Sequence, residues 1–147
     1  MKSKFIFLVF VFLFVCLVMI GQEVQDSVMY IAYISSEERD YEAYESRSKE
    51  GDFYWLHLAI RYAKEMEGER VLVFTGETQL ITLPRSSIDT TAIIDWTQSK
   101  TWTPEYGYAL LERILKTKRF YFINKQRQTD PEKYILIRAV YWRPLYY

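Results

Sequence analysis

One carboxylate in an apolar setting is the first candidate for chemistry in this chain. Asp95 interrupts the strand-like run TTAIIDWT (90–97) and is followed by Trp96. Burial beside an aromatic ring raises the pKa of a carboxylic acid, which suits general acid catalysis, and a glycosidase needs only two spaced carboxylates. Strand alternation gives a competing interpretation, in which Asp95 lies on the wet face or at the end of the strand. We favour the second interpretation and keep a carboxylate-based hydrolase of envelope or extracellular glycans as an alternative.

Other catalytic and metal-binding chemistry lacks the residues it needs. His57 is the single histidine, and a helical projection places it beside Arg61 and Lys64 on a polar face. The single cysteine, Cys16, lies inside an apolar N-terminal run. Metal sites collect several His, Cys or clustered carboxylate ligands, and phosphate-binding loops need grouped glycines. The sequence therefore predicts no metal, no cofactor and no thiol chemistry.

A basic and aromatic stretch between residues 113 and 129 is a candidate binding feature. It has six bases and no acid, interleaved with three aromatic residues: Arg113, Lys116, Lys118, Arg119, Lys125 and Arg127, with Phe120, Tyr121 and Phe122. Cations and rings together can bind a polyanion, and outside the cytoplasm that client would be an anionic lipid or glycan. The alternative is a helix end whose dipole attracts Lys116 and Lys118, followed by a solvated loop.

The end of the chain, YWRPLYY (141–147), is a second candidate binding feature. Tyrosine, tryptophan and arginine are enriched where proteins bind one another. The candidate binding residues of the whole chain are therefore Arg119, Tyr121, Lys125, Arg127, Tyr141, Trp142 and Arg143. A tail that packs on a sheet explains the same residues.

The N-terminus has the three-part pattern of an export signal. Lys2 and Lys4 precede sixteen apolar residues, 5–20, and a polar exit follows Gly21. Because positive charge stays on the cytoplasmic side, we expect the residues after Gly21 to cross the membrane. A helix of that length reaches about 24 Å, which fits either a cleaved signal or a short retained anchor.

Composition limits what the exported part can be. Removing residues 1–21 leaves 126 of the 147 residues, the usual size of one domain, so 22–147 is predicted to be a single domain. It is expected in the periplasm, secreted, or anchored outside the cytoplasm. Without Lys2 and Lys4 it has 17 bases against 19 acids, a net charge of −2. Such a balance gives no general attraction to nucleic acid.

Two helices are predicted to support the candidate residues. Asp52 is a good N-cap for a helix from Phe53 to about Glu67, whose apolar residues recur at three- and four-residue steps: Trp55, Leu56, Ala59, Ile60, Ala63 and Met66. Thr103 is the N-cap of a second helix from Pro104 to about Thr117, because proline and an early acid suit a helix start.

Strands are predicted in six segments: 28–35, 70–75, 78–83, 90–97, 119–123 and 133–142. Gly76-Glu77 is typical of a type II′ turn that would pair the second and third of them as a hairpin. The charged segment 36–50 is either a solvated loop or a short helix.

These elements predict an α+β domain behind an N-terminal signal or anchor helix. The sheet would have five or six strands, antiparallel or mixed, with two helices on one face, and a duplicated β-α-β-β unit is possible. Lacking catalytic groups, the domain is expected to be a non-enzymatic module that binds another envelope or extracellular protein, as an inhibitor, immunity-type protein or accessory subunit. Glycan hydrolysis and polyanion binding are the alternatives.

Overall fold

The computed structural model describes residues 6, 9, 27–36, 42–62 and 68–142. These ranges form eight strands and one long helix: β1 (Val28–Tyr33), β2 (Ala43–Arg47), β3 (Phe53–Tyr62), β4 (Gly68–Glu77), β5 (Ile81–Pro84), β6 (Ile93–Asp95), α1 (Pro104–Lys116), β7 (Arg119–Asn124) and β8 (Lys133–Tyr141). Short 3-10 turns at 85–87, 90–92, 96–101 and 125–127 connect several of them. The described chain is thus mostly strand.

The strands form one curled, mixed sheet. Its order is β2-β3-β4-β8-β7-β1-β6, and β5 pairs with the first half of β8. Strand β1 is parallel to β6 and β7, and the other pairs are antiparallel. The chain after β1 returns to the free edge of β2, where Ser36 N donates to the Ala43 carbonyl at 3.2 Å. The sheet therefore curls into a half-barrel with a seam between β1 and β2.

The helix predicted over residues 53–67 is wrong. Residues 53–62 form β3, which pairs with β4 along its whole length, and 63–67 lie outside the described residues. The same ten residues that fit a helical stripe also alternate, and Leu56, Leu58 and Ile60 are buried at every second position. Aromatic and β-branched residues favour a pleated, half-buried strand, and the partner β4 decides between the two periods.

The predicted two-helix α+β fold class is therefore wrong as well. Gly76 lies within β4 instead of opening a hairpin turn, and β5 pairs with β8 rather than with β4. Asp52 closes the β2–β3 turn, where Ser48 Oγ donates to Asp52 Oδ1 at 2.7 Å and Gly51 adopts φ +72°. Because residues 53–62 form a strand, the described ranges contain no repeated β-α-β-β unit. Of the predicted signal or anchor, 1–21, only Ile6 and Val9 are described, and both are exposed.

The predictions of β1, α1, β7 and β8 are confirmed, to within about two residues at each end. Thr103 Oγ1 accepts a hydrogen bond from Tyr106 N at 3.2 Å and so caps α1. One face of α1 is buried, with Gly107 in direct contact with β3: a Cβ on Gly107 would overlap the carbonyl oxygen of Arg61 and lie 2.8 Å from its carbonyl carbon. Glycine is what allows the helix to approach the strand this closely.

The two faces of the sheet differ in how they are covered. The inner face packs against α1 and forms the main core around Phe74, Trp96 and Phe122. The outer face of β1, β7 and the first half of β8 is covered by β5 and the segment 85–92, which buries Ile88. The outer face of β2, β3, β4 and the end of β8 is covered by no element of the described ranges.

Candidate functional site

The uncovered outer face presents a largely apolar and aromatic surface, interrupted by Thr75, which we call the aromatic face. Its members alternate with the core residues of the same strands: Phe53, Trp55 and His57 on β3, Val71 and Val73 on β4, Val140 on β8, and Trp142 one residue beyond it. Trp55 is opposite Thr75, and Thr75 is opposite Val140, so strand register alone brings the three strands' contributions together.

Two tryptophans lie at the centre of the aromatic face. The Trp55 ring is 5.8 Å from that of Trp142 and 4.9 Å from that of Phe53, and both contacts are edge-to-face. Trp142 is fixed by its backbone N–H, which donates to the Val73 carbonyl at 2.9 Å. Trp142 remains 43% exposed and Val140 54% exposed. Tryptophan is among the residues enriched in protein-binding hot spots, which makes this pair the candidate centre of a binding surface.

His57 lies within the aromatic face. Its cross-strand neighbours are Tyr44 on β2 and Val73 on β4, and its ring meets the Tyr44 ring edge-on at 5.7 Å. Burial lowers the pKa of His57 below its ordinary value. The imidazole is therefore neutral at neutral pH and adds no charge to the surface.

A basic cleft adjoins the aromatic face at the open end of β4. It has a volume of about 700 Å³, and Phe53 and Val140 form the border between the two surfaces. Its cationic lining consists of Lys118, Arg119 and Arg138. Arg138 pairs with Glu77 at 3.0 Å, and the hydrogen bond and charge of Glu77 raise the pKa of that guanidinium. The basic cleft thus gives the aromatic face one charged margin, and the exposed Arg61, at the other end of β3, adds a charge at the opposite margin.

The fold does not keep the predicted basic stretch together. Arg119 is at the start of β7, in the basic cleft, whereas Lys125 and Arg127 follow the end of that strand. Lys125 pairs with Asp95 and Arg127 pairs with Glu45. Tyr121, midway along β7, stacks on Tyr30 with ring centroids 5.5 Å apart. These four candidate residues therefore lie in four separate settings and do not form one surface.

Both carboxylate oxygens of Asp95, the candidate catalytic acid, accept hydrogen bonds within the protein. Its Oδ1 accepts from the backbone N and the hydroxyl of Thr97, at 3.1 and 2.6 Å, and its Oδ2 accepts from Lys125 Nζ at 2.5 Å. Burial acts to raise the pKa of Asp95, but the bonds from Lys125 and Thr97 outweigh it and lower that pKa. The carboxylate is ionised at neutral pH and caps the 96–101 turn, so it lacks the raised pKa of a general acid.

The three candidates at the chain end are placed differently. Tyr141 faces the core, with its ring 5.3 Å from that of Phe74. Trp142 faces outward into the aromatic face, and Arg143 lies outside the described residues. Trp142 is therefore the predicted binding residue that the structure places at the centre of an exposed surface.

A cluster of four polar side chains closes the seam between β1 and β2. The sequence did not predict it. We call it the seam cluster, and it consists of Tyr33, Glu45, Asn124 and Arg127. The Glu45 carboxylate accepts from the Tyr33 hydroxyl and from Asn124 Nδ2, the latter at 3.1 Å, and forms an ion pair with Arg127. Only 7% of the Glu45 side chain is exposed. The cluster thereby ties β1, β2 and β7 together.

The electrostatics of the seam cluster match a structural role. Burial, followed by the charge of Glu45, raises the pKa of Tyr33, so this hydroxyl stays protonated and donates. Burial opposes ionisation of Arg127, but Glu45 outweighs it and raises that pKa. The Arg127 guanidinium also lies 5.2 Å from the centre of the Tyr54 ring. Every oxygen of Glu45 is engaged, which leaves no free base for catalysis.

Comparison with protein-family models, with curated proteins and with solved structures found no match to this chain. Within the described ranges, no three His, Cys, Asp or Glu side chains are grouped so that they could hold a metal ion. In that part of the chain, no helix has the length and apolar character to span a bilayer.

Proposed function

We propose that this protein is an exported, non-enzymatic module that binds another protein of the envelope or extracellular space through the aromatic face. The observation that carries the proposal is the Trp55–Trp142 pair, with Trp142 exposed and Trp55 partly buried, on a sheet face that no described element covers. Covering such surface contributes roughly 25 cal/mol for each Å² of apolar area removed from water, against the entropy cost of association. Export rests on residues 1–21.

The charged residues around the aromatic face indicate what kind of partner surface would fit it. The centre of the aromatic face carries no ionised group. One of its margins is the basic cleft, whose three cations outnumber its two acids, Asp52 and Glu77. A matching protein would present an apolar patch with acidic side chains along one edge. A polyanion is less well matched, because three of the basic residues, Lys125, Arg127 and Arg138, are each paired with an acid.

Site-specific photo-crosslinking in the cells that make the protein tests this proposal. A photoreactive residue in the full chain at Val71 or Val140 is expected to give one adduct of constant mass. The same group at Leu115, 40% exposed on α1, is the matched control and should give none. Trp142→Ala should reduce the adduct about tenfold or more, because hot-spot truncation costs about 2 kcal/mol.

Three results would contradict the proposal: equal adducts from Leu115 and the two valines, no adduct from any position, or an adduct with the mass of two copies of this chain.

Binding through the aromatic face should weaken in acid because His57 must be neutral to be buried. The complex lowers the pKa of His57 further, so affinity is full above the free-state pKa and is lost as pH falls through it. We expect the dissociation constant for the partner to rise about three- to tenfold between about pH 7.5 and 5.5. His57→Gln should remove most of that dependence. An unchanged pH profile in the variant would rule out His57 as its source.

A further inference from the structure

A second concave site lies on the covered half of the outer face, away from the aromatic face. It has a volume of about 370 Å³, within the range of about 300–1,000 Å³ that small-molecule sites occupy. Its floor is the apolar pair Ala32 and Ile123, both buried, and one wall is the ring of Tyr134. The cavity is therefore an apolar slot large enough for a small organic molecule.

The ionic groups around this cavity leave one positive charge in excess. Asp95 and Lys125 neutralise each other across 2.5 Å. Arg85 has no carboxylate partner among the described residues: its Nε donates to the Lys133 carbonyl at 3.3 Å and its Nη2 to the Asp130 carbonyl at 2.8 Å. Its Nη1 has no hydrogen-bond acceptor in the described ranges, so a donor on a fixed cation is available to a ligand.

Arg85 is held in place for such a role. Its guanidinium lies over the Tyr134 ring, 4.7 Å from the centroid, and the two carbonyl contacts fix the orientation of its plane. Gln128, another lining residue, is already used, because its Nε2 and Oε1 bond the backbone of Asn124 and Ile135. Recognition of a charged group at this site consequently falls to Arg85.

We propose that this cavity binds a small organic carboxylate, with the carboxylate on Arg85 and the apolar body over Ile123 and against Tyr134. Guanidinium and carboxylate groups form charge-assisted hydrogen bonds, and an aromatic body matches the flat Tyr134 wall. This site is independent of the aromatic face and of the protein partner proposed above.

Fluorine NMR of para-fluorobenzoate with the full chain in a non-ionic detergent tests the assignment. The ligand signal should broaden with a millimolar dissociation constant, as expected for about ten heavy atoms. The neutral para-fluorobenzamide, which has the same shape, should bind about tenfold more weakly because it lacks the charge that Arg85 recognises.

Two variants and two controls localise the binding. Arg85→Gln should weaken binding about tenfold, and Thr90→Trp, which fills the cavity mouth without removing a charge, should abolish it. Arg70→Gln, which removes an exposed cation on β4, and Trp142→Ala should each leave the dissociation constant within about twofold. Equal binding of the acid and the amide to the native chain, or no broadening at about 5 mM ligand, would overturn the proposal. So would undiminished binding to Thr90→Trp.

Discussion

Replacing Gly107 with alanine is expected to lower the free energy of unfolding by at least about 3 kcal/mol. On an unpacked helix the same change would stabilise by about 1 kcal/mol, since alanine is the better helix former. The added Cβ, however, would overlap the carbonyl oxygen of Arg61, which belongs to the backbone of β3 and cannot rotate away. The sign of the effect therefore reports whether α1 lies directly against β3.

Chemical denaturation of the full chain measures this effect, and Ala109→Gly is the matched control. Ala109 is exposed on the same helix, so that substitution should cost only about 1 kcal/mol, from helix propensity alone. A Gly107→Ala protein as stable as the native chain, or more stable, would contradict the helix position.

Replacing Glu45 with glutamine should have the second largest effect on stability. We expect the free energy of unfolding to fall by about 2–4 kcal/mol. The substitution preserves shape but leaves Arg127 without its counter-charge. It also weakens the hydrogen bonds from Tyr33 and Asn124 to a carboxylate that is 7% exposed. We place the loss below that of a fully buried pair because Arg127 is 33% exposed and so keeps some hydration.

Further variants separate the effect of the ion pair from the general loss of a surface acid. Glu112→Gln removes an exposed acid on α1 and should change stability by less than about 0.5 kcal/mol. The double variant Glu45→Met with Arg127→Met should be more stable than either single methionine variant, because no uncompensated charge remains. Additive losses in the double variant would show that the two side chains do not interact.

The sequence predicts those elements whose local signals agree with their final contacts. In α1 the Thr103 cap, the proline start and the inward stripe all indicate one structure, and β1, β7 and β8 are similarly consistent. Residues 53–62 instead satisfy both a helical and an alternating pattern, and only pairing with β4 selects the strand. That pairing is a long-range property, which local periodicity cannot supply.

The candidate site shows the same limit. Trp142 could be predicted because its residue type is typical of interfaces, but its contact with Trp55 depends on two strand registers. Asp95 and Lys125 are both candidates from the sequence, but they form an ion pair with each other across 30 positions of the chain. Because of that pair, Asp95 is not a general acid and Lys125 is not an unpaired cation. Glu45 lies in a charged segment whose composition is typical of a solvent-exposed loop. Its burial in the seam cluster therefore could not be predicted from the sequence.

Hydroxyl-radical footprinting of intact envelopes against the purified full chain tests the central claim most directly. A bound partner should slow oxidation of Trp142 and Trp55 about fivefold or more, since interface cores exclude water. Tyr106, on α1, has the same 43% exposure as Trp142 and serves as the internal control, with an unchanged rate expected. Equal oxidation rates for Trp142 in envelopes and in the purified chain would contradict the proposal that the aromatic face binds a partner.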